Sequence, residues 1–303
     1  MPCYHPLTGY RSREVGPNGK RPIVFNKAKG FGDRPVPIPC GQCAGCRLER
    51  SRQWAIRCVH EAQLHEDNSF ITLTYNDESL SESRSLVPRD FQLFMKRLRK
   101  MHEPKRIRFY HCGEYGERFG RPHYHACLFG HDFEDKKLWK KSNDQDLFRS
   151  EELETLWPYG HSSIGTVTFE SAAYVARYIM KKISGPAAER HYRYIDPETG
   201  EIFDRVPEYT TMSRRPGIGR GWLDRFSSDV YPGDFVVLNN KKLRPPKYYD
   251  QQFELMYPGD MEKIKRDRKL SLNKHKENNT PERLRVREQV QLKRLELLPR
   301  EIG

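Results

Sequence analysis

Apolar residues recur along this chain with two different periods, and the changes between them mark its elements. In RLERSRQWAIRCVHEAQLH (47–65), Leu48, Trp54, Ile56, Cys58, Val59 and Ala62 recur among charges at helical spacing, which predicts a first helix. FITLTY (70–75) is a short β-rich run set off by the turn residues Asp67, Asn68 and Ser69, and reads as a strand. Pro88 suits the first position of a helix running to Met101, because Phe91, Phe94, Met95, Leu98 and Met101 form one apolar stripe. The opposite face carries Lys96, Arg97, Arg99 and Lys100. RIRFYHC (106–112) and HYHACLF (123–129) read as strands, and the glycine-rich GEYGERFG (113–120) between them predicts a hairpin. EELETLW (151–157) follows as a helix, IGTVTF (164–169) as a strand, and SAAYVARYIMKKI (171–183) as a helix that Ser171 is able to cap.

This order predicts an α+β fold: a mainly antiparallel central sheet flanked by helices. Residues 1–46 form a Cys-rich segment with a turn signal at GPNGK (16–20), and 47–190 hold the core. Residues 191–260 read as a turn-rich basic extension, and 261–303 as a charged helical tail in which Thr280 and Pro281 restart the helix. The tail is a poor candidate for the core.

Charge narrows the choice of partner. Lys and Arg number 54 against 41 Asp and Glu in 303 residues, a formal net charge of +13. Basic residues alternate with rings in KRIRFYH (105–111) and YRYIDPE (192–198), a pattern in which arginines hold phosphates while rings stack bases. Nucleic acid is therefore the leading partner. No stretch approaches the roughly 18 apolar residues of a membrane span, so a soluble, intracellular protein without a membrane partner is expected. The seven cysteines are an odd number, and CGQCAGC (40–46) crowds three of them together, which fits thiolate chemistry in a reducing compartment better than a disulfide framework.

In a strand, His123 and His125 share one face and Tyr124 takes the other. Two imidazoles side by side suggest a metal, against the plain alternative of rings packed in an ordinary sheet. Glu114 could approach them across the hairpin, with Glu117 as the alternative carboxylate, and mixed nitrogen and oxygen ligation suits Mg²⁺ or Mn²⁺. Tyr174 and Tyr178 lie four apart on one helix face, followed by Lys181 and Lys182. They form either a packing pair or a pair of nucleophiles. A phenol of pKa near 10 is ionised to only about one part in a thousand at neutral pH, so attack on a phosphodiester requires activation by metal and lysine. Cys40, Cys43 and Cys46 could bind structural Zn²⁺, with Cys3 or His5 as a fourth ligand; isolated core cysteines and an iron–sulfur cluster are the alternatives. In SRRPGIGRGW (213–222), Arg214, Arg215 and Arg220 are candidate DNA contacts.

FITLTY, GEYGERFGRPHYHACLFG and YVARYIMKK, with PCGQCAGCR upstream, together resemble the HUH endonucleases that start rolling-circle replication. The resemblance is to the replication initiators of small single-stranded-DNA phages of the microvirus family, in its gokushovirus branch. It implies that His123, His125 and an acidic partner hold the metal. It further implies that Tyr174 or Tyr178 nicks the origin and keeps the 5′-phosphate as a covalent phosphotyrosine, and that Lys181 or Lys182 neutralises the phosphate. A phosphotyrosine ester stores the cleaved bond, so rejoining requires no nucleotide triphosphate. No GxxxxGK[ST] loop is present, so unwinding falls to a host helicase in the cytoplasm of a bacterial host. A noncatalytic zinc-containing nucleic-acid-binding protein is the alternative from a different class.

Overall fold

The computed structural model describes residues 3–17, 19–116, 120–141, 146–178, 183, 185–197 and 199–297, the side chain of Tyr178 excepted. The chain divides into two compact units: residues 51–265 with 300–303, and residues 1–50 with 266–299.

The larger unit is built on a seven-stranded sheet. Numbered with the strands β1 (Leu7–Ser12), β2 (Ile23–Val24) and β3 (Gly30–Ile38) of the smaller unit, its own strands are β4 (Asn68–Tyr75), β5 (Arg108–Tyr115), β6 (Pro122–Phe129), β7 (Lys137–Lys140), β8 (Leu147–Arg149), β9 (Gly160–Gly165) and β12 (Tyr209–Met212). The order across the sheet is β12-β5-β6-β4-β9-β8-β7, with every pairing antiparallel. Two short hairpins lie outside it, β10 (Arg193–Ile195) with β11 (Ile202–Asp204) and β13 (Val236–Leu238) with β14 (Lys241–Leu243). The helices are α1 (Ala44–Ala62), α2 (Pro88–Met101), α3 (Glu151–Leu156), α4 (Phe169–Tyr178), α5 (Pro186–Tyr192), α6 (Arg220–Val230), α7 (Lys247–Met256), α8 (Pro258–Asn273) and α9 (Pro281–Glu296).

Strand alternation gives the sheet two buried faces rather than one. Ile71, Leu73 and Tyr75 of β4 and Tyr124, Ala126 and Leu128 of β6 pack against Phe91, Phe94, Met95 and Leu98 of α2 and Leu153 and Leu156 of α3. Full burial of each of these α2 side chains contributes about 1.5–3 kcal/mol, so the apolar stripe is the main hold on α2, and Arg97 and Arg99 add hydrogen bonds to Leu156 O and Ile107 O. The intervening residues Phe70, Tyr110, Cys112, Cys127 and Phe129 face the other way, against Ala55 and Cys58 of α1 and Ala172, Val175 and Ala176 of α4. Cys58, Cys112 and Cys127 are thus core residues.

Several elements differ from the expectation. The strand expected at 164–169 is β9 at Gly160–Gly165, four residues earlier. The β-branched Thr166, Val167 and Thr168 mimic a strand, yet Thr168 begins α4: its Oγ1 accepts the Ser171 N–H while Ser171 Oγ accepts the Thr168 N–H. The turn-rich stretch supplies β12, which extends the sheet beside β5, and the buried Leu223, Val230, Tyr249 and Phe253 of α6 and α7. The tail also contributes to cores. Met261 and Ile264 join the α6–α7 cluster, and Leu284 packs with Tyr4 and Cys43 in the smaller unit. That unit's sheet has the order β2-β1-β3. Among the described residues, no helix is long and apolar enough to cross a membrane.

Candidate active site and metal centres

The hairpin of β5 and β6 places the candidate ligands by register. Glu114 stands opposite His123 and Cys112 opposite His125, so the carboxylate and both rings share the α4 face of the sheet. Glu114 therefore belongs to the strand itself and not to the turn beyond it. Glu114 is 3 % exposed and His125 5 %, and Nε2 of His125 lies 3.3 Å from Glu114 Oε1. A carboxylate taken this far out of water requires a positive or hydrogen-bonding partner, and the imidazole is one.

On the other side of β6, β4 presents two hydroxyls. Thr72 Oγ1 meets His125 Nδ1 at 3.0 Å and Thr74 Oγ1 meets His123 Nδ1 at 2.8 Å, following the pairings Thr72↔His125 and Thr74↔His123. With Nδ1 engaged from the β4 side, Nε2 of each ring is directed toward β5. There Glu114 meets His125, and Gly116 lies so close that a Cβ on it would stand 2.7 Å from His123 Nε2. This threonine support fixes ring orientation, as hydrogen bonds behind metal-binding histidines do. The ring centroids of His123 and His125 are 6.3 Å apart.

Tyr174 on α4 completes the face. Its ring stands edge-on to His125 with centroids 5.2 Å apart and planes at 88°, and the Arg177 guanidinium lies 5.8 Å from its centroid. α4 is held in place by Ala172, Val175 and Ala176 in the core, and by Ser51 Oγ donating to Ala173 O at 2.9 Å. The Tyr178 side chain, Glu117, Lys181 and Lys182 lie outside the described residues. Sequence reasoning missed Thr72, Thr74, Gly116 and Arg177. The alternation in FITLTY was the available signal for the threonines, since its polar positions share the face of the two histidines.

In the smaller unit, Cys3, Cys40, Cys43 and Cys46 bring their four sulfurs within 4.8 Å of one another. The Sγ atoms of Cys3 and Cys43 are 3.9 Å apart, close to the edge of about 3.8 Å for a tetrahedron with metal–sulfur bonds near 2.3 Å. Backbone N–H groups of Cys40, Cys43 and Tyr4 donate to the sulfurs of Cys3, Cys40 and Cys43 at 3.2–3.3 Å. Desolvation raises the Cys43 thiol, but N–H donors from Cys46 and Tyr4 and the neighbouring thiols outweigh it and bring it down to about 6. Burial, joined by the thiols of Cys3 and Cys43, pushes Cys46 up to about 12. This set of donors fits a metal ion such as zinc. His5 is not part of it, its Nε2 lying 2.7 Å from Glu288 Oε2.

Arg214 and Arg215 line a pocket of about 380 Å³ with Arg99, Lys105, Arg106 and Arg108. The pocket lies at the start of β5, about 20 Å along the strand from Glu114. Arg220 is engaged elsewhere, donating to Asp224 at 2.8 Å and to Gln252.

The family described as replication-associated protein ORF2/G2P matches residues 68–183, from the start of β4 to beyond α4. The chain is 33 % identical over 268 residues to replication-associated protein VP4 of Bdellovibrio phage phiMH2K, covering 85 % of this chain and 79 % of that one. It is 32 % identical over 230 residues to replication-associated protein ORF2 of Spiroplasma virus 4, covering 72 % and 68 %. With replication-associated protein ORF4 of Chlamydia phage 1 it shares 34 % identity over 175 residues, 52 % of this chain and 41 % of the relative. No solved structure matches the chain.

Proposed function

Because this chain belongs to the family of phage replication-associated proteins, we propose that it starts rolling-circle replication by nicking and rejoining single-stranded phage origin DNA through a tyrosine nucleophile. The observation that carries this reading is the convergence of Glu114, two threonine-supported imidazoles and the Tyr174 ring on one face of the sheet. Glu114, His123 and His125 would hold Mg²⁺ or Mn²⁺, which suit mixed nitrogen and oxygen donors. When bound, the ion supplies positive charge that polarises the scissile phosphate.

In the nicking step the Tyr174 phenol oxygen attacks phosphorus. The P–O3′ bond breaks, the 3′ oxygen leaves and takes up a proton, and the 5′-phosphate stays on the tyrosine. Reversal by a 3′-hydroxyl rejoins the strand without a nucleotide triphosphate. Tyr178, four residues on, is the acceptor for the second strand transfer that closes the unit-length circle, and Lys181 or Lys182 offsets phosphoryl charge. Glu117 remains the alternative carboxylate, and the buried, His125-paired position of Glu114 favours Glu114. Arg214 and Arg215 contact DNA phosphates from their pocket, and Arg220 contributes at most by changing its present partners. The four cysteines hold structural Zn²⁺. Unwinding falls to a host helicase in the host cytoplasm.

The test is an SDS-resistant protein–DNA adduct formed by purified protein with Mn²⁺ or Mg²⁺ on labelled single-stranded fragments tiling the phage genome. The adduct is expected to require metal, to vanish in the Tyr174→Phe/Tyr178→Phe double variant, and to vanish in His123→Ala. The single tyrosine variants assign the first nucleophile. Binding without an adduct under any metal would overturn the enzyme reading in favour of a noncatalytic zinc-containing DNA-binding protein.

A further inference from the structure

A second group of metal-binding side chains lies in the larger unit, made of residues the nicking chemistry does not use. His102 closes the C-terminal end of α2, His131 follows β6, and Glu152 lies in the first turn of α3. Their ligand atoms all lie within 4.8 Å of one another. His102 Nε2 is 2.7 Å from Glu152 Oε1, and His131 Nε2 is 3.7 Å from the same oxygen. The two ring centroids are 4.4 Å apart.

The decisive feature is His131. Its side chain is 2 % exposed, and neither ring nitrogen has a hydrogen-bond partner among the described residues. Folded proteins seldom leave a buried polar ring without partners, and where they do an unseen ion or water is the first explanation. The hydroxyl of Ser69 donates at 3.1 Å to the His131 backbone oxygen, not to the ring. The ring therefore reaches toward Glu152 held at its backbone and unsatisfied at its nitrogens. A divalent ion would engage all three groups at once.

We propose that His102, His131 and Glu152 form a zinc site. Two imidazoles and one carboxylate are a donor set that zinc takes readily, leaving a fourth position for water. Bonds near 2.0–2.1 Å in a tetrahedron place donor atoms about 3.3 Å apart, between the 2.7 and 3.7 Å separations found here, so small side-chain shifts close the site. His102 and Glu152 are each 25 % exposed, which gives the ion a path from solvent and the water a place. The site pins the end of α2, the start of α3 and the end of β6 to one point. Its protein-side neighbour in sequence is the 103–108 stretch that lines the basic pocket, so zinc here steadies that rim as well.

The test is zinc binding, read by titration calorimetry and by native mass spectrometry of zinc per chain. The full chain carries His123→Ala and His125→Ala so that the nicking site does not contribute. Compared with this parent, His131→Asn, His102→Ala and Glu152→Gln are each expected to bind one zinc fewer or to bind it at least about a hundredfold more weakly, with an unchanged circular dichroism spectrum. His102 and Glu152 are partly exposed, so their variants keep the test available if His131→Asn fails to fold. The proposal is overturned if the folded variants hold as much zinc, as tightly, as the parent.

Discussion

Replacing Gly116 with alanine tests the candidate active site at a residue that carries no chemistry of its own. Gly116 lies one residue beyond β5, and the added methyl would stand 2.7 Å from His123 Nε2 and 3.2 Å from Cδ2. Ordinary van der Waals contact begins near 3.5 Å, so the ring edge has to withdraw by about 0.8 Å. It has little freedom to do so. Nδ1 is held by Thr74 at 2.8 Å, and the strand beneath is paired on both sides, to β4 and to β5. The displaced atom is the nitrogen proposed to bind the metal, and misplacement of about 1 Å at a reacting centre costs on the order of a hundredfold in rate. Gly116→Ala is therefore expected to slow adduct formation by about 10- to 100-fold and to raise the metal concentration required. The φ angle of Gly116 lies outside the left-handed region, so the backbone tolerates alanine and the thermal midpoint should hardly move. A variant that forms the adduct within about twofold of the wild-type rate, at the same metal dependence, would refute the placement of His123 Nε2 at the reacting centre.

Thr72→Val and Thr74→Val remove the hydroxyls behind His125 and His123, and each is expected to weaken metal binding by about 10- to 100-fold while the serine variants retain it; the midpoint of Mn²⁺ activation is the readout. His60 is buried against Trp222 and Tyr249, and desolvation pushes it down from its ordinary 6.5 to about 3. The unfolded ring gains its proton at the higher value and the folded ring at the lower, so this contribution to stability is complete above the upper pKa and is lost between the two as pH falls, at about 1.4 kcal/mol per pH unit. Urea unfolding of His60→Phe at about pH 6, 5 and 4 should show a correspondingly shallower pH slope, and an unchanged slope would exclude His60 as its source. Arg214→Ala and Arg215→Ala should weaken single-stranded DNA binding to all sequences alike and reduce the salt slope by about 0.7 per charge removed; an unchanged slope would place the DNA elsewhere.

The elements that sequence reading located well are those whose apolar period is strong. The stripe of Phe91, Phe94, Met95 and Leu98 with Pro88 at its start gives α2 from Pro88 to Met101 in both readings. The glycine-rich connection between RIRFYHC and HYHACLF likewise foretold the antiparallel pair, and from that pair the meeting of Glu114 with the histidines follows by register. β12 was illegible because Tyr209, Thr210, Thr211 and Met212 are all half-buried, which leaves no alternation to read. The His102, His131 and Glu152 group was illegible for a different reason. Its members come from three elements, and nothing local in sequence marks a residue after a helix, one after a strand and one inside a first turn as neighbours. The cysteine cluster was legible except for one choice: CGQCAGC announced three thiols with Cys3 or His5 as the fourth ligand, and the fold brings Cys3 to that place.

The same alternation that builds the two cores also sets the chemistry. In β4, Ile71, Leu73 and Tyr75 are committed to the α2 face, so Thr72 and Thr74 must point to the other. Shifting β4 by one residue would place Leu73 beside the imidazoles and turn two hydroxyls into the core against Phe94 and Leu98. That slip costs burial on the α2 side as well as the hydrogen bonds on the α4 side. The imidazole orientation is therefore fixed by apolar residues on the opposite face of the sheet. A substitution such as Leu73→Ala, on the face away from the site, removes part of what holds the threonines in register behind His123 and His125.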